Sequence, residues 1–118
     1  MACLDGSSPE VHGDGEQSRD FTFIEDVVEA NLLAGLAPEE ARGSVLNVGG
    51  VGEPTSVNRI LEIVAGLTDS APESVHTPAR KGDVRRTEAD VSLARRLIGY
   101  EPEVDIEEGL RRTVGSFR

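Results

Sequence analysis

Apolar positions recur at helical spacing in four stretches of the chain. From Ile24 to about Leu36, the positions Ile24, Val27, Val28, Asn31, Leu32 and Leu36 fall on one side of a 3.6-residue wheel and predict a helix. Ser56–Leu67 predicts a second helix that buries Val57, Ile60, Leu61 and Val64, and Ser92–Ile98 a short third one closed by Gly99. Asp105 with Glu108 three residues on makes a capping-box-like start for a last helix, whose apolar face is Ile106, Leu110, Val114 and Phe117. Between these, the unbroken run Ser44–Val48 reads as a buried strand stopped by Gly49-Gly50, with shorter strands at Phe21–Phe23 and Ser74–Thr77. Gly35–Gly43 connects, with one turn at Pro38–Ala41, and Pro78–Thr87 is a polar basic loop. Residues 1–20, rich in Gly, Ser and Asp, read as loop. The alternation of strand and helix predicts an α/β fold, with 21–118 as one small domain behind the 1–20 segment.

Composition narrows the class. The chain has 118 residues, 37% of them apolar and only 3% aromatic, so its core rests on Val, Leu, Ile and Ala. No apolar run approaches the ~18–20 residues of a membrane span, and no basic, apolar leader precedes the chain; a cytoplasmic protein is expected. Cys3 stands alone, so no internal disulfide or cysteine zinc site forms, and His12 and His76 lie far apart, so no metal site is expected. The net charge of −10 argues against nucleic acid, whose phosphates are bound by excess Lys and Arg. Residues 1–78 hold 14 acids against 3 arginines, whereas 79–118 hold 8 acids against 9 bases, with Arg80, Lys81, Arg85 and Arg86 close together. One lysine against 11 arginines in so acidic a chain is the composition of a protein kept soluble at high salt, and reads as halophilic.

Three features could carry chemistry. Gly49-Gly50-Val51-Gly52 lies between a strand and a helix as a dinucleotide loop would, but Thr55 stands where the third glycine belongs, Pro54 breaks the turn, and no acid ends a second strand about twenty residues on. The glycines are therefore read as a turn. In the basic loop, Arg80 beside Gly82 and Asp83 can offer a planar fork to a phosphate while the carboxylate accepts from sugar hydroxyls; the alternative is a solvated charged turn. Arg19, after the glycines of Gly13-Asp-Gly15, is a second anion contact, or else pairs with Asp14, Glu16 or Asp20. His12 and His76 read as surface or packing residues. No nucleophile arrangement exists, so no catalytic residue is assigned.

Taken in order, the segments Gly13-Asp-Gly-Glu-Gln-Ser-Arg-Asp-Phe-Thr, Leu46-Asn-Val-Gly-Gly50, Pro78-Ala-Arg-Lys-Gly-Asp-Val-Arg-Arg-Thr87 and Ala89-Asp-Val-Ser-Leu-Ala-Arg-Arg-Leu-Ile-Gly-Tyr-Glu-Pro102 resemble the carboxy-terminal part of NAD-dependent nucleotide-sugar epimerases and dehydratases, the extended short-chain dehydrogenases, with UDP-glucose 4-epimerase-like members the nearest in look. The resemblance runs from about Pro9 to the end. It implies the substrate-binding portion of that fold, lacking most of the Rossmann sheet. It also implies that Arg19 and Arg80 contact a nucleotide diphosphate, Asp83 the ribose, and Val57 the nucleotide, while Glu10, Val11 and His12 lie near the base, His12 replacing the usual aromatic. The activity implied is NAD-dependent interconversion of UDP-sugars. However, the family's NAD loop and Tyr-x-x-x-Lys pair have no counterpart: Tyr100 is the one tyrosine, and Val104 follows it at the lysine position. The chain is thus expected to hold a UDP-sugar without catalysing alone, beside a possible NAD-binding catalytic subunit. The alternatives are a non-catalytic UDP-sugar-binding or interaction remnant, or part of a nucleotide-sugar 4,6-dehydratase.

Overall fold

Two pairs of very short strands, rather than one sheet, tie distant parts of the chain together. In the computed structural model, which describes residues 2–70 and 73–117, β1 (Glu10–His12) lies parallel to β4 (Val75–Thr77), with Val11 opposite His76. β2 (Ser18–Arg19) runs antiparallel to β3 (Thr55–Ser56), and Ser18 also bridges Arg86 in parallel. Residues read as loop in the 1–20 segment therefore contain both β1 and β2, as well as a one-turn helix α1 (Ala2–Asp5) that buries Cys3. Their polar composition hid them, because a strand this short is defined by its partner and not by its own pattern.

The helices follow the sequence closely. α2 covers Ile24–Gly35, α3 Val57–Thr68, α4 Ser92–Ile98 and α5 Ile106–Gly115, with a single 3-10 turn at Glu39–Ala41. Ser56 caps α3, its hydroxyl accepting from the Arg59 amide at 3.2 Å. α4 ends on Gly99 in the left-handed region, as its glycine predicts. Asp105 caps α5 by accepting from the Glu108 amide at 2.9 Å, but the Glu108 carboxylate turns to Arg111 and Arg112 at 2.6–2.7 Å instead of reaching back, so only half of the capping box forms.

The core is small. Ala30, Ala94 and Tyr100 are buried together, with Leu33, Leu46, Val91 and Ile98 packed around them. The Tyr100 hydroxyl donates to the Gly49 carbonyl at 2.6 Å, which satisfies a polar group that would otherwise be buried without a partner. Asp26, only 5% exposed, accepts from the Glu103 and Val104 amides and so ties α2 to the segment that enters α5. Phe23, just before α2, lies against Gly109 of α5 and holds the Arg112 guanidinium 5.5 Å from its ring centre.

Three expectations need correction. Phe21–Phe23 is extended without a strand partner among the described residues. Ser44–Val48 likewise forms no ladder there, and Val45 is 89% exposed, so among the described residues this run is neither a buried strand nor part of a sheet. The third concerns α2, which turns Ile24, Val28, Leu32 and Leu36 outward, at 63, 52, 58 and 86% exposure, and buries Asp26 and Ala30 instead. For Val45 and the outward side of α2 the physical reason is that an apolar pattern requires a surface to cover it, and the described residues supply none there; Phe23 and Leu46 are covered, but by side-chain packing and not by a strand partner.

Candidate functional site

Asp20 holds three of the recognisable segments in one place. Its carboxylate accepts from the Gly50 amide at 2.8 Å through one oxygen and from the Ala89 amide at 3.1 Å through the other. Gly50 has to be glycine because a Cβ there would lie 2.0 Å from the Phe21 carbonyl oxygen, far inside contact distance. The Gly49-Gly50 pair is thus consumed by close packing against Asp20–Phe21. It is not turned toward a phosphate, and α3 begins only at Val57 with Ser56 as its cap. These residues do not fit a dinucleotide pyrophosphate, and Tyr100, buried and bonded to Gly49, is not placed to act on a substrate.

A second clasp shapes the Gly13–Gly15 loop. Gly15 takes φ +76°, and its carbonyl accepts from the Asn58 amide at 3.0 Å at the start of α3. The Asn58 side chain donates in turn to the Asp14 carbonyl at 3.0 Å and to Glu16 at 2.6 Å. A side chain at position 15 would collide with it, its Cβ lying 2.0 Å from Asn58 Oδ1.

Between β1, the start of α3 and the basic segment lies a cleft of about 480 Å³, lined by Glu10, Val11, His12, Gln17, Val57, Arg80, Lys81, Gly82 and Asp83. Six of the seven residues singled out from the sequence (Glu10, Val11, His12, Val57, Arg80 and Asp83) meet there, from the first strand, the start of α3 and the basic loop. Arg19, the seventh, does not line it but reaches its edge through an ion pair with Asp83, and donates also to the Ser18 carbonyl at 2.7 Å. Val11, 2% exposed, contributes little side-chain surface.

The cations around this cleft are unevenly paired. Arg85 is held by both oxygens of Asp14, at 2.8 and 2.9 Å, and Arg86 by Glu53 and Glu88 at 2.6 and 2.9 Å. Each pairing keeps its guanidinium charged, chiefly through the hydrogen bonds to these carboxylates. A wider groove of about 530 Å³ between α3 and α5 carries Arg59 and Arg111, but Glu62, Glu107 and Glu108 already pair with them. The Arg80 and Lys81 side chains are exposed and make no ion pair or hydrogen bond among the described residues; Arg42 and Arg96 share this elsewhere on the surface, but only Arg80 and Lys81 sit together on the wall of the cleft. Two adjacent cations without side-chain partners on one wall make this cleft a candidate anion site.

Gln17 and Thr77 were not identified from the sequence. Gln17 donates to the His12 carbonyl at 2.8 Å. Its only sequence signal was its place two residues before Arg19, hence on the same side of an extended segment. Thr77 bonds the His12 ring at 2.7 Å and carried no signal, since the β1–β4 pairing that brings it there spans most of the chain. Among the described residues, no group of three or more His, Cys, Asp or Glu is placed to hold a metal, and no helix is long and apolar enough to cross a membrane.

Known proteins match this chain in sequence and fold. A UDP-glucuronate 4-epimerase of Thermodesulfobacterium geofontis is 41% identical over 88% of the chain and 31% of its own length. The crystal structure of a UDP-glucose 4-epimerase from Thermotoga maritima with UDP-glucose superposes with a TM-score of 0.91 and 40% identity, over 99% of this chain and 37% of that one. A Bacillus cereus UDP-glucuronic acid 4-epimerase in complex with UDP-glucuronic acid and NAD gives 0.89 and 27%, over 99% and 38%. Sequence and fold thus define a portion of an NAD-dependent nucleotide-sugar epimerase/dehydratase. The profile described as GDP-mannose 4,6 dehydratase matches residues 2–113, and the chain belongs to that family. It spans about a third of the length of the relatives it matches.

Proposed function

We propose that this chain binds the nucleoside-diphosphate end of a UDP-sugar, as part of a UDP-sugar 4-epimerase-like activity whose hydride and proton transfers are performed by residues outside it. The observation that carries this reading is the cleft itself: unpaired Arg80 and Lys81 face it beside Asp83, with Val57 and His12 opposite in chain origin. Two cations can neutralise a diphosphate, and a carboxylate can accept from a ribose diol. Holding the diphosphate fixes where the attached sugar can lie, which is a positioning contribution to any reaction on that sugar.

The apolar stripe Ile24–Val28–Leu32–Leu36, together with exposed Val45 and Val51, supports a polypeptide neighbour. With about a third of its relatives' length present here, the occupant is an NAD-binding portion that presents an apolar face and a free strand edge to the Ser44–Val48 run. The family profile's description favours one further version, in which the sugar chemistry is a 4,6-dehydration. Epimerisation and dehydration would share this nucleotide cleft.

Titration of the isotope-labelled full chain with UDP, UMP and uridine tests the reading. Amide shifts at Arg19, Arg80 and Asp83, with UDP bound more tightly than UMP and UMP more than uridine, are expected. Indifference of these residues to UDP, or equal affinity for uridine, would remove the assignment.

A further inference from the structure

We propose that Arg85 is a positioning residue for the bound nucleotide: paired with Asp14, it tethers the strap that carries Arg80, Lys81 and Asp83 once a ligand has displaced the Arg19–Asp83 pair. The proposal rests on the reading that the cleft takes a nucleoside diphosphate, and deepens it by naming what keeps the ligating residues in place.

Residues 78–88 form one continuous exposed strap, in which even Val84 is 51% exposed. Its tip is a local turn. The Asp83 amide donates to the Arg80 carbonyl at 3.1 Å, and Gly82 takes φ +86°. Such a turn sets the shape of the tip and not where it stands. Packing does not set that either, because cavities border the strap where a core would otherwise support it. One is the cleft; the other, of about 230 Å³, shares Arg80 and Asp83 with it and is lined also by Asp14, Val84 and Arg85.

The strap is therefore held by polar tethers. At its start the Gly13 amide donates to the Thr77 carbonyl at 2.8 Å. At its end the Ser18 amide donates to the Arg85 carbonyl at 2.9 Å, and the Thr87 amide to the Ser18 carbonyl at 3.2 Å, with Arg86 paired to Glu53 beyond. Two side-chain pairs lie nearer the tip, Arg19–Asp83 and Asp14–Arg85. Only the first uses groups that the ligand would claim. Its exchange for phosphate and ribose leaves Asp14–Arg85 as the side-chain link between the strap and the Gly13–Gly15 loop.

Asp14 is a fixed anchor. Gly13 and Gly15 flank it at φ +80° and +76°, Asn58 donates to its carbonyl at 3.0 Å, and the Glu16 amide donates to its Oδ1 at 2.9 Å. Arg85 spans both carboxylate oxygens at 2.8 and 2.9 Å. These Arg85 bonds first, and the Glu16 amide second, hold the Asp14 carboxyl below its ordinary range, so the pair persists at neutral pH. Both side chains are more than half exposed, so the pair adds little to stability and acts instead on where the strap lies.

The test is calorimetric titration of the full chain and its variants with UDP, with a thermal melt of each. Asp14→Asn and Arg85→Gln should each weaken UDP binding by about two- to fivefold, the range of an exposed ion pair, at unchanged Tm. Asp14→Asn keeps an oxygen for the Glu16 amide, so the loop itself is preserved. The double variant should bind no more weakly than either single one, because the same link is lost in all three. Tighter UDP binding by Asp14→Asn would overturn the proposal, since the freed guanidinium would then be meeting the ligand itself. Unchanged Kd in both single variants would also overturn it and leave the nucleotide reading standing, whereas a wild-type chain that ignores UDP would overturn both. Amide relaxation in the UDP-saturated chain gives an independent answer on the ps–ns timescale. Lys81 and Gly82 should be more mobile in Asp14→Asn than in the wild type, and equal mobility would rule out the tether.

Discussion

Arg19 and Asp83 are ion-paired beside the cleft although 64 residues separate them. Each is about a third exposed, so the pair is only partly shielded from water and its strength is at most about 1 kcal/mol. In the reading above, these are the groups for the diphosphate and the ribose, and with no ligand they satisfy each other. Binding then requires an exchange in which Arg19 gives up a carboxylate for a phosphate. Asp83→Asn should therefore strengthen binding of inorganic pyrophosphate, by no more than about fivefold, while weakening UDP, which loses its ribose acceptor. Parallel titrations of the two ligands check this; a variant that weakens both equally would show that Asp83 only shapes the loop.

Arg80 is the simpler case. It has no partner to exchange, so its full charge is available to the ligand. Arg80→Ala should weaken UDP binding by about 1–3 kcal/mol, the range of a charge-assisted hydrogen bond with its desolvation, and should leave the Tm unchanged. Calorimetric titration and a thermal melt of the same sample separate the two effects. Equal UDP affinity in both proteins would place the diphosphate elsewhere.

Two glycines should respond to the same substitution with opposite signs. At Gly50 an added Cβ would sit 2.0 Å from the Phe21 carbonyl oxygen, and backbone cannot step aside cheaply. Gly50→Ala should cost about 1–3 kcal/mol or more, and should also break the Gly50–Asp20 bond of 2.8 Å. Gly66 lies within α3 with nothing within 4 Å of its Cβ position. Gly66→Ala should stabilise by roughly 0.5–1 kcal/mol, since alanine loses less conformational freedom in a helix. Urea unfolding of both variants reads the difference directly.

What the sequence disclosed, and what it withheld, divide along the range of the interactions. α4 ends where Gly99 places it, and Asp105 caps α5 as its spacing indicates, because caps and glycine stops act within one turn. β1 could not be read from Glu10-Val-His12, whose partner lies beyond Ser74. Ser44–Val48 shows the converse: its apolar run is as strand-like as any in the chain, yet a run specifies a surface to be covered and not the partner that covers it. In the cleft, the residues that belong to local motifs, such as Arg80 and Asp83, were visible, whereas Thr77 became significant only through the hydrogen bond it makes to His12.

Tyr100 offers a built-in report on the core. Burial raises its phenol above the ordinary value near ~10, and the carboxylates of Asp26 and Asp20 add to the shift. A pKa raised in the folded state stabilises the fold fully below the unfolded value, and this contribution is lost as pH climbs through the folded one. Alkaline unfolding should therefore begin near pH ~10 and coincide with phenolate absorbance, which in this chain comes from a single tyrosine. Tyr100→Phe should make the alkaline limb shallower. It should also lower stability at neutral pH by about 1–3 kcal/mol, because the Gly49 carbonyl loses its donor in the interior.

Salt acts on this chain through two opposing electrostatic effects. It weakens surface ion pairs such as Arg85–Asp14 and Arg95–Glu101, which favours unfolding. It also screens the self-repulsion of a net charge of −10 spread over 118 residues, which favours folding. The first effect is small, because exposed pairs contribute about 0–1 kcal/mol each and most of that is already screened near physiological salt. Repulsion grows with the square of the net charge and acts across the whole surface, so it should dominate. The Tm should rise steadily from low salt to molar KCl, in line with a halophilic composition. Sodium sulfate would raise it too by strengthening apolar burial, so KCl is the discriminating salt. A Tm that is flat or falling in KCl would mean that the paired arginines outweigh the uncompensated acids, and the halophilic reading would be lost.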